Sequence, residues 1–227
     1  MRFWQKGPRK EDAKLAEERL RIGQMFLEVG NLEKAMDCFN KAVAHDRRLA
    51  EAYYFRARVF SLTGLEQDAL KDLNKALRLN REFAAAYNAR GRILARTFGR
   101  WEEAIEDFRK AITLGMRQLK RTPSREGLPI VIADSFCGLG LIFIAQLMAL
   151  LRHSEGPIDP RSIPSDIPRG IALSYLLALK YNPADEEAQS ALTMMMQQHK
   201  PLLEAHGFGN LIPLTKPGHL RADDEAL

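Results

Sequence analysis

The chain predicts an all-α fold, a right-handed α-α superhelix of antiparallel helix pairs with a C-terminal capping helix. Three observations predict it. Landmark residues return every 34 positions: Gly23, Ala57 and Gly91, then Phe26, Phe60 and Leu94. Within each period, small and apolar residues recur at three- and four-residue steps on both sides of a glycine, the pattern of two amphipathic helices joined by a tight turn. Finally, a lone helical hairpin cannot bury its apolar face, so successive pairs must stack and share a core.

The elements follow in order. An N-terminal tail, 1–12, precedes three helix-pair units within 13–115, at 16–49, 50–83 and 84–115. Gly30-Asn31-Leu32-Glu33-Lys34-Ala35 matches Gly64-Leu65-Glu66-Gln67-Asp68-Ala69, and Gly99-Arg100-Trp101-Glu102-Glu103-Ala104 follows after a one-residue slip. Next comes a basic stretch, 116–128, read as a linker because Pro123 and Gly127 break it. Segment 129–183 is a divergent fourth unit. Phe136, Leu139, Gly140 and Phe143 keep the spacing of the first helix, and a proline-rich insertion, 152–167, separates them from a second helix. Residues 184–206 read as the capping helix and 207–227 as an extended tail. The run 129–151 is apolar enough to span a bilayer, but a helix apolar all round also suits the centre of a helical core.

The repeats act as an internal alignment, and one pair of columns co-varies. The seventh position reads Ile22, Arg56, Arg90, while the twenty-third reads Cys38, Asp72, Asp107. Arginine on the first helix coincides with aspartate on the second, which predicts structural ion pairs Arg56–Asp72 and Arg90–Asp107. Swapping the charges of Arg56 and Asp72 is then expected to recover stability that either single reversal loses.

These residues resemble the tetratricopeptide repeat family from Ala16 to about Leu114: Tyr53 and Tyr87 at the fourth position, small residues at the eighth, and alanine at the twentieth and twenty-seventh. Arg19 departs from the fourth-position aromatic, and Arg47 and Arg81 stand where the family usually closes its second helix with proline. The resemblance implies a non-enzymatic scaffold or adaptor whose first helices line a concave, peptide-binding groove. Carried over position by position, the groove residues are Gln24, Tyr54, Arg58, Asn88, Arg92, Arg96 and, from the fourth unit, Leu141. The implied partner is another protein, contributing a peptide or helix with acidic and apolar residues. The family's chaperone-carboxylate clamp is not expected, because Leu20, Gln24, Phe55, Ala85 and Ala89 stand at its positions.

Composition narrows the function further. With 34 basic and 29 acidic side chains among 227 residues, the charge is only mildly positive and both signs are interspersed. Arginines 56, 58, 90, 92 and 96 motivate an alternative reading as an RNA-binding surface, and 129–151 another as a membrane anchor; self-association through the unfinished ends of the array is a further option. Cys38 and Cys137 cannot build a disulfide framework, and the charged amino end lacks the apolar core of a secretory signal, so a cytoplasmic location is expected. No catalytic residue, cofactor or metal is predicted. His45, His153, His199, His206 and His219 include no pair at ligand spacing, and Gly138-Leu139-Gly140 lacks the third glycine and lysine of a phosphate loop.

Overall fold

The structure, a computed structural model, describes residues 10–122, 127–152, 163, 166–198 and 200–205. Every regular element among them is an α-helix. Most of the 152–167 insertion, the first nine residues and the 207–227 tail lie outside the described residues. The chain forms two compact units, residues 1–99 and 100–227, divided at the turn inside the third repeat.

The first unit holds α1 (Lys10–Glu28), α2 (Leu32–His45), α3 (Ala50–Leu62), α4 (Glu66–Leu79) and α5 (Ala84–Phe98). The tail assigned to 1–12 is therefore helical from Lys10, since Lys, Glu, Asp and Ala over 10–13 contain no helix breaker after Pro8. Inside each pair the glycine at the turn takes a left-handed conformation, φ 75° at Gly30 and 78° at Gly64. The next residue closes the helix: Asn31 N–H donates to the Phe26 carbonyl and Leu65 N–H to that of Phe60, both at 2.8 Å. Asn31 then caps α2 by accepting from Lys34 N–H at 3.1 Å.

Between pairs the missing proline is replaced by a side-chain turn. Asp46 accepts from Arg48 N–H at 2.8 Å, and Asn80, 34 residues on, accepts from Glu82 N–H at 3.0 Å. Packing follows the repeat. Phe39 of α2 is fully buried against Gly23 of α1, where an added Cβ would stand 2.5 Å from its ring. Leu20, Phe39 and Val59 centre one core cluster, and Leu73, Leu77 and Ile93 centre the next. The leading helices are consecutive neighbours, α1 against α3 and α3 against α5.

The second unit holds α6 (Trp101–Arg121), α7 (Leu128–Arg152), α8 (Asp166–Tyr181), α9 (Glu186–Gln198) and α10 (Lys200–Ala205). One expectation is corrected here. The basic stretch read as a linker is helical as far as Arg121, because nothing between Gly115 and Pro123 breaks a helix and cations suit its negative end. The expected capping segment is helical on both sides of residue 199, as α9 and α10, and residue 199 lies outside the described residues.

Helices α7 and α8 form the divergent pair. Gly140 faces Tyr175, whose ring carbon would lie 2.8 Å from an added Cβ, as Gly23 faces Phe39 in the first pair. Gly138 is closed over in the same way by Phe108 of α6, and Gly115 of α6 by Ile132 of α7. After α8 the turn of the earlier repeats returns: Asn182 N–H donates to the Ala178 carbonyl at 2.9 Å, as Asp46 does to Ala42. Asp185 then caps α9 by accepting from Ala188 N–H at 2.9 Å.

Candidate functional site

The groove candidates of the first unit stand on α1, α3 and α5, whose repeat register places Gln24, Arg58 and Arg92 at equivalent positions of three successive helices. Helical geometry turns residues two apart by about 200°, so Arg56 and Arg58 leave α3 on nearly opposite sides. The structure separates them in that way. Arg58 is exposed, with its guanidinium carbon 5.6 Å from the centre of the Phe55 ring. Arg56 is turned inward, its side chain 19% exposed beside Asp72 at 10%.

The Arg56–Asp72 contact is bidentate, Nε to Oδ2 at 2.6 Å and Nη2 to Oδ1 at 2.9 Å. Arg56 also donates through Nη1 to Asn40 Oδ1 of α2 at 3.0 Å and lies over the Tyr53 and Phe60 rings. The hydrogen bonds to Asp72 hold the guanidinium above its usual pKa, against the opposing pull of burial. One arginine thus joins three helices. Arg90 repeats the backward bond, donating to Asn74 Oδ1 at 2.6 Å, and lies over the Tyr87 ring. Asp107, its expected partner, is buried in α6 of the other unit.

Asn40 and Asn74 were not singled out in the sequence, although they are 34 residues apart and so occupy one column. The signal was available. Arginine at the seventh position accompanies asparagine at the twenty-fifth position of the preceding repeat for Arg56 and Arg90, whereas the first repeat carries Ile22 at that position.

An aromatic strip runs beside Arg58. Phe39 stacks on Phe55 at 5.8 Å between ring centres, Phe55 meets the edge of Tyr54 at 5.0 Å, and Tyr54 meets Phe83 at 4.9 Å. Tyr54 is therefore half-buried in the packing between α3 and the start of α5. Arg92 and Arg96 are exposed on α5, Gln24 is half-buried, and Asn88 is buried at 5% exposure, which takes it out of the set of open anchors. Leu141 stands on α7 in the second unit, 45% exposed.

Tyr53 marks the inner side of the same repeat. Its hydroxyl donates to the Arg47 carbonyl at 3.3 Å, and burial pushes its pKa above the usual 10.0, against the pull of Arg56. Helix α7 contains the one span among the described residues long and apolar enough to cross a membrane, Leu128–Leu147. It packs against both α6 and α8, and Ile132, Ile142 and Leu147 are almost wholly buried. Among the described residues no group of three His, Cys, Asp or Glu side chains is placed to hold a metal ion.

Comparison with known proteins accords with the repeat. The tetratricopeptide repeat family model matches residues 19–47, 50–83 and 84–114. No curated protein matches the chain. Among solved structures, PilF of Pseudomonas aeruginosa is similar over 91% of this chain and 79% of its own, at 20% identity and a TM-score of 0.63. The MamA protein is similar over 89% of this chain and 92% of its own, at 17% identity and a TM-score of 0.58. At such identities the likeness is one of fold.

Proposed function

We propose, from the tetratricopeptide repeat match over residues 19–47, 50–83 and 84–114, that the chain is a non-enzymatic scaffold of that repeat type whose leading helices hold a segment of a partner protein. The observation that carries the proposal is the division of labour among the arginines. Arg56 and Arg90 are engaged inside the unit, whereas Arg58, Arg92 and Arg96 stand exposed on successive leading helices. With Phe55 beneath Arg58, this stripe offers cations for carboxylates and an aromatic edge for an apolar side chain. An acidic and apolar peptide, extended or helical, is the ligand it suits.

A preformed groove spares the receptor an ordering cost, so a few anchors can decide affinity. The engagement of Arg56 and Arg90 also weakens the RNA reading, which drew on all five arginines. A cytoplasmic setting fits the two thiols, Cys38 and Cys137, which are buried and not joined in a disulfide. Affinity capture with the wild type and with Arg58→Glu plus Arg92→Glu tests the proposal. Both sites are exposed, so folding should survive while captured partners are lost; identical partner recovery from the two proteins would refute it.

A further inference from the structure

In the first unit, each leading helix after α1 turns one side toward the repeat before it. On α3, Ala52 and Val59 are buried with Ala35, Phe39 and Ala42 of α2, and Arg56 reaches Asn40. On α5, Ala86 and Ile93 are buried with Leu73 and Leu77 of α4, and Arg90 reaches Asn74. The same columns on α1 hold Glu18, Ile22 and Met25, and among the described residues no helix precedes α1. Burial is lost there. Met25 is 65% exposed, where Val59 is 1% and Ile93 6%.

The open side is one stripe. Glu11, Leu15, Glu18, Ile22, Met25 and Val29 follow one another at steps of three and four residues, which keeps them on one face. Leu15, Met25 and Val29 are exposed and Ile22 is half-buried. Both charged members are acidic and exposed, with Lys14 and Arg19 at the margins. A free end of a repeat array needs a polar outer face, and this one is mostly apolar. Its glutamates narrow the choice of occupant. A preceding repeat of the same kind would bury Glu18 as Ala52 and Ala86 are buried, leaving a charge without a partner. A second copy meeting the same face would bring the glutamates of both copies to one seam, with no cation among the stripe residues to balance them. The face therefore suits a segment that is both apolar and cationic.

Such a segment is attached to α1. Residues 1–9, outside the described residues, carry Met1, Phe3 and Trp4 with Arg2, Lys6 and Arg9, and no acid. We propose that residues 1–7 double back over the open stripe of α1 and cap the array. Gly7-Pro8 suits the reversal, since glycine accepts turn conformations and proline does not continue a helix backwards. The lengths agree: Lys10 to Met25 covers about 22 Å of helix axis, and seven extended residues reach about 23 Å. The order of residues agrees too. Running antiparallel to α1, the segment brings Lys6 level with Glu11, Trp4 with Leu15, Arg2 with Glu18 and Ile22, and Met1 with Met25. A short tether also gives the segment an effective concentration on the order of millimolar at this face, ahead of a free partner.

The test uses the full chain with Trp101→Phe, which leaves Trp4 as its one tryptophan. Trp4 emission is expected to be blue-shifted, and its quenching by acrylamide several-fold weaker than in the same chain unfolded in urea. Leu15→Glu plus Met25→Glu alters two exposed side chains, so the fold should survive while quenching rises to the unfolded level. Glu18→Arg should raise quenching as well, and adding Arg2→Glu should reverse that rise. In the chain that keeps both tryptophans, trypsin should cleave after Lys6 several-fold faster once Leu15 and Met25 are replaced, a readout independent of position 101. Quenching of Trp4 equal to that of the unfolded chain, or cleavage indifferent to Leu15 and Met25, would overturn the proposal. So would failure of Arg2→Glu to rescue Glu18→Arg. Shielding of Trp4 that grows with protein concentration would overturn it too, because the face would then belong to a second copy.

Discussion

A double-mutant cycle on Arg56 and Asp72 probes the contact that ties three helices of the first unit together. Two charge-assisted hydrogen bonds, each worth about 1.5–3 kcal/mol net, join side chains that are 19% and 10% exposed. Part of that gain is offset by taking both charges out of water, so the coupling energy should be about 2 kcal/mol. Asp72→Ala leaves a guanidinium largely buried with only Asn40 to accept from it, and Arg56→Ala leaves a buried carboxylate. Each single change should cost about 3 kcal/mol. The double alanine variant should then cost about 4 kcal/mol, well short of the sum. The reversed pair, Arg56→Asp with Asp72→Arg, should regain only part of the loss. A shorter side chain at position 56 gives up the Asn40 bond and the contacts with the Tyr53 and Phe60 rings. Urea denaturation followed by far-ultraviolet circular dichroism measures all four corners; additive losses, within about 0.5 kcal/mol, would show that the pair is not coupled.

Two further outcomes follow from the packing and from the phenol. Gly140→Val should destabilise the second unit by more than about 2 kcal/mol, because its Cβ would already lie 2.8 Å from the Tyr175 ring; a neutral effect in thermal melts would mean that Tyr175 can move aside. Tyr53 ionises at the usual 10.0 when unfolded and higher when folded, so its contribution to stability is complete below pH 10 and is lost as the pH rises through the folded value. Tyr53→Phe should therefore show a shallower alkaline loss of stability between pH 9 and 11 than the wild type, by roughly the share of one titrating group. Equal slopes would remove burial of that phenol as a cause.

Much of the fold is legible because repeated residues solve a repeated packing problem. Glycine at positions 30 and 64 serves a backbone with positive φ, and glycine at 23 and 140 makes room for Phe39 and Tyr175. Each is marked by spacing alone, even across the insertion in the fourth unit. The basic stretch after Gly115 misled for a definite reason. Its arginines and lysines are as compatible with helix as with linker, and only the burial of Ala111, Ile112 and Gly115 against the next helix decides between them. Asn88 shows another limit, since its position in the repeat says which side of α5 it leaves and nothing of how fully its neighbours cover it.

The arginines show why a count of charges is a poor guide to binding. On α3, residues 56 and 58 are two positions apart and therefore diverge by about 200°; the same holds for 90 and 92 on α5. One of each pair is drawn into bonds with Asn40 and Asp72 or with Asn74. The other is exposed. Under the proposed reading, an alternating row of arginines therefore offers a ligand fewer accessible cations than the sequence suggests, and the inner members hold successive helices together. Loss of Arg56 should for that reason lower the stability of the first unit before it alters the charge offered at Arg58, whereas loss of Arg58 should alter that charge and leave stability nearly untouched.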